Sequence, residues 1–228
     1  MYYSTTIVGL TSASYNSAAD RPWDENLLSQ VEKWEKRDWY PFSASEIQEA
    51  LSKSSNTSAP GPDHLSWRHL KHLFKNHDFL EKFLCIANVC VLIGHWPSYF
   101  KVSTLVIIPK PNKPNYTMPK AFRPIVLLNT MSKLIEKLIS VCMHSEGNAC
   151  GIFHSSQFGG TQQHSTDDAG VFLTHVILSW TQRKVTSTLA FDVAQFFPSL
   201  NHQVLTKIIQ KAGFNNLLVS FFKSYLTG

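Results

Sequence analysis

Cysteine is scarce in this chain, with four in 228 residues at positions 85, 90, 142 and 150, none of them spaced as a CxxC pair. With no charged n-region followed by an apolar h-region at the start, that usage reads as a reduced, intracellular setting rather than a disulfide-stapled secreted scaffold. Long apolar runs are missing too. The longest, 83–93 (FLCIANVCVLI), is interrupted by Asn88 and reaches about half of the roughly 20 residues that a membrane span needs, which excludes a transmembrane helix. Residues 1–19 lack any charged side chain and are rich in Ser, Thr, Ala and Tyr without a clear period, so they read as a loosely ordered lead-in. Acids are nearly absent from 101–140, where Lys101, Lys110, Lys113, Lys120, Arg123, Lys133 and Lys137 face Glu136 alone. The mild overall charge of +5 is therefore concentrated in one segment, which points to a polyanionic partner there. With 43% hydrophobic and 16% charged residues, the rest is an ordinary globular balance for one large or two small domains.

Local signals divide the chain into elements. Residues 24–37 (DENLLSQVEKWEKR) place acids early, bases late and apolar side chains at Leu27, Leu28, Val31 and Trp34, the pattern of an amphipathic helix aligned with its dipole. Ser43 and Glu46 have the spacing of a capping box for the next helix. Pro60-Gly61-Pro62 is a turn, with Asp63 placed to cap a helix over 65–74. An apolar helix over 78–93 ends at Gly94, a C′ glycine. Helices are also expected over 130–141, over 166–182 with Asp167 and Asp168 favouring its N-terminus, and after Asn201.

Thr104–Ile108 and Phe122–Leu128 read as two strands joined by a loop rich in Pro and Asn, a hairpin with a cationic tip. It would bring Lys110 and Arg123 together: either two solvated surface cations, or a point charge and a planar fork suited to a di- or triphosphate. His64, His69 and His72 lack a Cys or carboxylate companion and read as surface or packing residues, and Cys142, His144, Cys150 and His154 fit no usual zinc spacing. Ser155-Ser156-Gln157-Phe158-Gly159-Gly160 is a flexible turn whose glycines permit close approach to a ligand. Finally, 185–191 (VTSTLAF) reads as a largely buried strand that delivers Asp192 to a strand-to-helix junction. Taken alone, an Asp there is explained as well by a turn as by chemistry.

In order along the chain, APGPDHL (59–65), LVIIPKPNK (105–113), FRPIVLLNTMSKLIEKLI (122–139), SSQFGG followed by ST (155–160, 165–166) and LAFDVAQFFPSLNH (189–202) resemble the N-terminal blocks of reverse transcriptases from non-LTR, LINE-type retrotransposons. The resemblance covers about residues 45–226. It implies an α+β chain: mostly helical fingers with a β-hairpin over 41–183, and the start of a right-hand polymerase palm over 184–228, after the lead-in and N-terminal helix of 1–40.

The resemblance also implies roles. Asp192 would be the first catalytic, metal-binding aspartate, with Val193 lending its carbonyl, in a site where Mg²⁺ ions clamp the attacking hydroxyl and leaving pyrophosphate. Lys110 and Arg123 would hold the incoming deoxynucleoside triphosphate. Phe197 would be the aromatic gate that excludes a ribose 2′-hydroxyl, and Gln157 and Gly159 would lie along the RNA template opposite a DNA primer. The sequence departs from the family pattern at 160–164 (GTQQH), which carries no Arg, and at Phe196, which stands where a small residue is common. It contains no YxDD block, so the remaining catalytic aspartates, the rest of the palm and the thumb are not among these 228 residues. One carboxylate cannot hold two divalent ions, so this stretch is expected not to polymerise unaided. A non-catalytic, nucleic-acid-binding remnant is the alternative.

Overall fold

The structure, a computed structural model, describes residues 29, 33–154, 156–161, 163–180, 187–192 and 200–227. In chain order its elements are α1 (Ala44–Ser52), α2 (Trp67–Leu73), α3 (His77–Leu92), α4 (Ser98–Lys101), β1 (Ser103–Pro109), β2 (Phe122–Leu128), α5 (Thr130–Ala149), α6 (Thr166–Trp180), α7 (His202–Lys211) and α8 (Asn216–Leu226). This is the expected α+β composition, helices and one antiparallel hairpin among the described residues. Among the described residues no helix is long and apolar enough to cross a membrane. They fall into two compact units, one drawn from Met1–Ile139 and Asn201–Gly228, the other from Ser140–Leu200.

In the first unit the helix starts follow the local chemistry. The Ser43 hydroxyl accepts from the Glu46 N–H at 3.3 Å while the Glu46 carboxylate accepts from the Ser43 N–H at 2.7 Å, the reciprocal box that frees α1 of two orphan donors. Asn76 caps α3 and Asn201 caps α7 in the same sense. Leu80, Phe83, Ala87 and Val91 recur at helical spacing on α3 and are buried, and α3 packs against both α1 and α8. Trp96 is 2% exposed at the centre of this layer, its ring 5.1, 5.3 and 5.6 Å from those of Phe100, Phe221 and Tyr225. Gly94 turns the chain towards it at φ +62°, where a Cβ would meet that of Ser220 at 2.5 Å.

The same unit buries one carboxylate. Tyr225 on α8 donates to Glu136 on α5 at 3.0 Å, and burial raises the Glu136 carboxyl above its ordinary range against the smaller opposing pulls of Tyr225 and Lys133. A raised folded-state value means that this residue's contribution is most favourable below the ordinary carboxylate range and is lost as pH rises through the folded value. Glu136→Gln keeps an acceptor for Tyr225 and removes the buried charge. The expected result is a melting temperature about 2 °C higher at neutral pH, with the difference vanishing in acid. Thermal melts of both proteins across pH check this, and a gain that persists in acid would contradict it.

Three expectations change. The helix over 24–37 does not extend through its described end: 33–40 has no regular secondary structure, with Trp34 N–H donating to the Lys211 carbonyl at 2.8 Å and Arg37 N–H to that of Gly213 at 2.9 Å. Docking against the α7–α8 turn satisfies backbone groups that a local helix would otherwise have paired. Gly213 is essential to that approach, because at φ +79° a Cβ would lie 2.2 Å from the Glu35 carbonyl oxygen. Second, Ser66, not Asp63, caps α2, which starts at Trp67. Third, the strand over 185–191 is not formed across its described part. Residues 187–192 are irregular, with Leu189 76% and Phe191 86% exposed. A β-rich sequence becomes a strand only where a neighbour takes up its N–H and C=O groups, and the sheet among the described residues consists of β1 and β2. The lead-in 1–19 lies outside the described residues.

The second unit is held by small clusters rather than a deep core; every fully buried apolar side chain among the described residues belongs to the first unit. Phe153 packs on Gly147, where a Cβ would lie 2.4 Å from its ring, and beside the His144 ring at 5.2 Å. Phe158 sits between Phe172 and His164 at 5.4 and 5.2 Å. Ser165 and Asp168 form a capping box for α6, which holds the Asp168 carboxyl below its usual range.

Candidate functional site

The hairpin is the element that arranges chemistry in the first unit. Its register runs from Ser103 opposite Leu128 to Pro109 opposite Phe122, with Arg123 opposite Ile108. One more hydrogen bond, from Lys110 N–H to the Ala121 carbonyl at 2.8 Å, continues the ladder past the strand end. Side chains two apart on a strand share a face, and so do directly opposed ones, so the register puts Lys110 and Arg123 at diagonal positions on one face. The loop between them folds back: Tyr116 donates its hydroxyl hydrogen to the Lys110 carbonyl at 2.8 Å and its ring meets that of Phe122 at 6.0 Å. Lys110 is half-buried and Arg123 exposed. A flexible ammonium beside a planar fork can together cover several oxygens of a polyphosphate.

The opposite end of the hairpin is locked to the 59–65 turn. Asp63 donates its N–H to Asn129 Oδ1 at 3.1 Å, and its carboxylate accepts from Leu65 N–H at 3.2 Å and from Thr130 N–H at 2.9 Å. Asp63 thus serves the first turn of α5, 67 residues away, rather than the neighbouring helix. Asn129 donates to the Tyr99 carbonyl at 3.0 Å, the Thr130 hydroxyl donates to the Leu65 carbonyl, and Lys133 reaches the Ala59 carbonyl at 3.2 Å. Asn129 and Thr130 are each 1% exposed, so their polar groups depend on these partners rather than on solvent. Gly61 permits the contact: a Cβ there would lie 2.2 Å from the Leu128 carbonyl oxygen. Sequence inspection placed Gly61 and Asp63 in a turn but missed this function. The signal available was their position in APGPDHL, yet nothing local names the partner.

In the second unit Asp192 is exposed, at the end of the irregular 187–192 segment. Gln157 and Gly159 sit in the exposed turn before α6, with Gln157 Nε2 donating to the Gly159 carbonyl at 3.4 Å. Val193 and Phe197 lie outside the described residues. Two divalent ions need several anionic ligands around them. The group of three metal-ligating side chains close enough to share an ion among the described residues is His77, Asp78 and Glu81, all exposed, and Asp192 is not in it. The described residues around Asp192 do not by themselves fit a two-ion site.

No family model matches the chain. Full-length proteins do: it is 30% identical over 192 residues to the probable RNA-directed DNA polymerase from transposon X-element of Drosophila melanogaster, covering 82% of this chain and 20% of that protein. It is 29% identical over 187 residues to the probable RNA-directed DNA polymerase from transposon BS of the same organism, again 82% and 20%. The chain is a relative of the RNA-directed DNA polymerases of non-LTR retrotransposons. The likeness extends to the Pol polyprotein of the type-1 retrotransposable element R2 of Popillia japonica, at 24% identity over 189 residues, 82% of this chain and 24% of that one. The chain spans about a fifth of the length of the curated polymerase relatives it matches. The hairpin and the turn locked to it are thus a described piece of a retrotransposon polymerase relative.

Proposed function

We propose that this chain is the fingers and first palm segment of an RNA-directed DNA polymerase, with 41–183 the fingers and 184–228 the palm segment. The observation that carries the reading is the diagonal pair Lys110 and Arg123 at the end of a locked hairpin, in a relative of retrotransposon polymerases. In this reading the pair holds the triphosphate of an incoming deoxynucleotide and offsets the charge that develops as pyrophosphate leaves. Gln157 and Gly159 lie along the RNA template, and Phe197 closes on the sugar edge where a 2′-hydroxyl would sit. Asp192, with the Val193 carbonyl, supplies one carboxylate to a divalent cation, Mg²⁺, whose further ligands come from other carboxylates than those described near it.

Kinetics of single-nucleotide extension on an RNA template by the full-length gene product test the reading. Arg123→Ala and Lys110→Ala are each expected to lower kcat/KM for the deoxynucleotide by about 10²-fold, with Arg123→Lys recovering little because the fork is lost. Nucleotide kinetics indifferent to both substitutions would sink it.

The exposed, irregular setting of Asp192 favours a second reading, a non-catalytic remnant that binds nucleic acid through the basic 101–140 segment. That reading requires salt-dependent binding weakened at Lys110 and Arg123 and indifferent to Asp192.

A further inference from the structure

Lys110 leaves β1 as the middle residue of Pro109-Lys110-Pro111, and a loop rich in Pro and Asn separates it from Arg123 on β2. Closing such a loop costs chain entropy, so something must hold it folded if its ends are to keep one geometry. Both backbone groups of Lys110 are held. Its N–H donates to the Ala121 carbonyl at 2.8 Å, and Ala121 is 3% exposed, which anchors that side in the interior. Its carbonyl accepts from the Tyr116 hydroxyl at 2.8 Å. Pro111 further confines Lys110 to extended conformations. Tyr116 spans the loop: its hydroxyl also accepts from the Lys113 N–H at 3.4 Å, after the chain has turned through Asn112 at φ +58°. Its ring meets that of Phe122, the neighbour of Arg123, edge-on at 6.0 Å. One side chain therefore touches the chain beside each member of the cationic pair, and at 45% exposure it does so from outside the core.

We propose that Tyr116 is a positioning residue for Lys110: its hydroxyl holds the loop folded back, so that the base of the Lys110 side chain is set before the nucleotide arrives. This rests on the assignment of Lys110 and Arg123 to the triphosphate. Lysine carries its charge on a flexible four-carbon stem, and a flexible stem on a loose base would have to be ordered at each binding event. With N–H and carbonyl both engaged, only the stem is left to order. Tyr116 acts here through the Lys110 main chain and touches no phosphate. Losing its hydroxyl therefore weakens binding, while chemistry proceeds at its usual rate once the nucleotide is seated.

Single-nucleotide extension on an RNA template by the full-length gene product tests this with Tyr116→Phe, alone and combined with Lys110→Ala. Phenylalanine keeps the ring against Phe122 and removes only the hydroxyl. The expected result is a KM for the deoxynucleotide about fivefold higher, the worth of one ordinary hydrogen bond, with kcat within about twofold of the parent. In the Lys110→Ala background the same substitution is expected to change KM by less than about twofold, because the side chain that it positions is gone. A merely structural role would raise KM alike in both backgrounds or lower kcat, and either result would overturn the assignment. So would a KM unchanged by Tyr116→Phe in the parent. The two failures are distinguishable: Lys110→Ala without effect removes the nucleotide-holding role itself, whereas a loss with Lys110→Ala and none with Tyr116→Phe removes the positioning role alone.

Discussion

Gly61→Ala is expected to cost about 3 kcal/mol or more and to lower the melting temperature by on the order of 10 °C. The methyl group would enter at 2.2 Å from the Leu128 carbonyl oxygen, 2.4 Å from its carbon and 2.6 Å from the Asn129 nitrogen. All three are backbone atoms, so no side chain can swing aside. Either the 59–65 turn or the end of β2 must retreat, and that opens the bonds from Asp63 to Asn129 and Thr130. Each buried polar group left unpaired there adds a penalty of about 1–3 kcal/mol. Gly170→Ala is the matched control, since nothing lies within 4 Å of its Cβ position and it sits inside α6, where alanine is the better helix former. Thermal melts of the two variants beside the parent decide the matter. If Gly61→Ala melts with the control, the lock between the turn and the hairpin contributes nothing.

Asp192→Asn is expected to abolish RNA-templated extension by the full-length gene product, a loss of about 10³-fold or more, equivalent to about 4 kcal/mol of transition-state stabilisation. Asparagine keeps the size and removes the charge that draws a divalent cation. Because Asp192 is exposed, the change is expected to leave stability within about 0.5 kcal/mol of the parent. Removing a negative charge near phosphates is expected to leave nucleic-acid affinity equal or slightly higher. Lost extension with intact folding and binding is the signature of chemistry at this carboxylate. Extension that survives the substitution would eliminate the catalytic assignment and leave the binding remnant as the better account.

Legibility followed distance along the chain. The Ser43–Glu46 box, the Asn201 cap, the Gly94 turn and the β2 strand over 122–128 were readable because each depends on groups within a few residues. Lys110 and Arg123 could be paired from sequence because a hairpin's register follows from its two strands and the loop between them. Asp63 was legible as a turn residue and illegible as the anchor of α5, since its partner lies 67 positions on.

The segments misread from sequence show the same boundary from the other side. Residues 33–37 have helical periodicity, but the backbone there finds Lys211 and Gly213 instead. Leu189 and Phe191 have strand composition, but strand formation needs a partner that composition cannot supply. The sequence by itself determined the helix caps, the hairpin, the basic bias of 101–140 and the family to which the chain is related, because those are carried by residue types at short spacing. Only the tertiary structure decided which turn locks to which helix, and that 33–40 and 187–192 carry no regular secondary structure, because each of those depends on hydrogen-bond partners and packing supplied by residues far away in the chain.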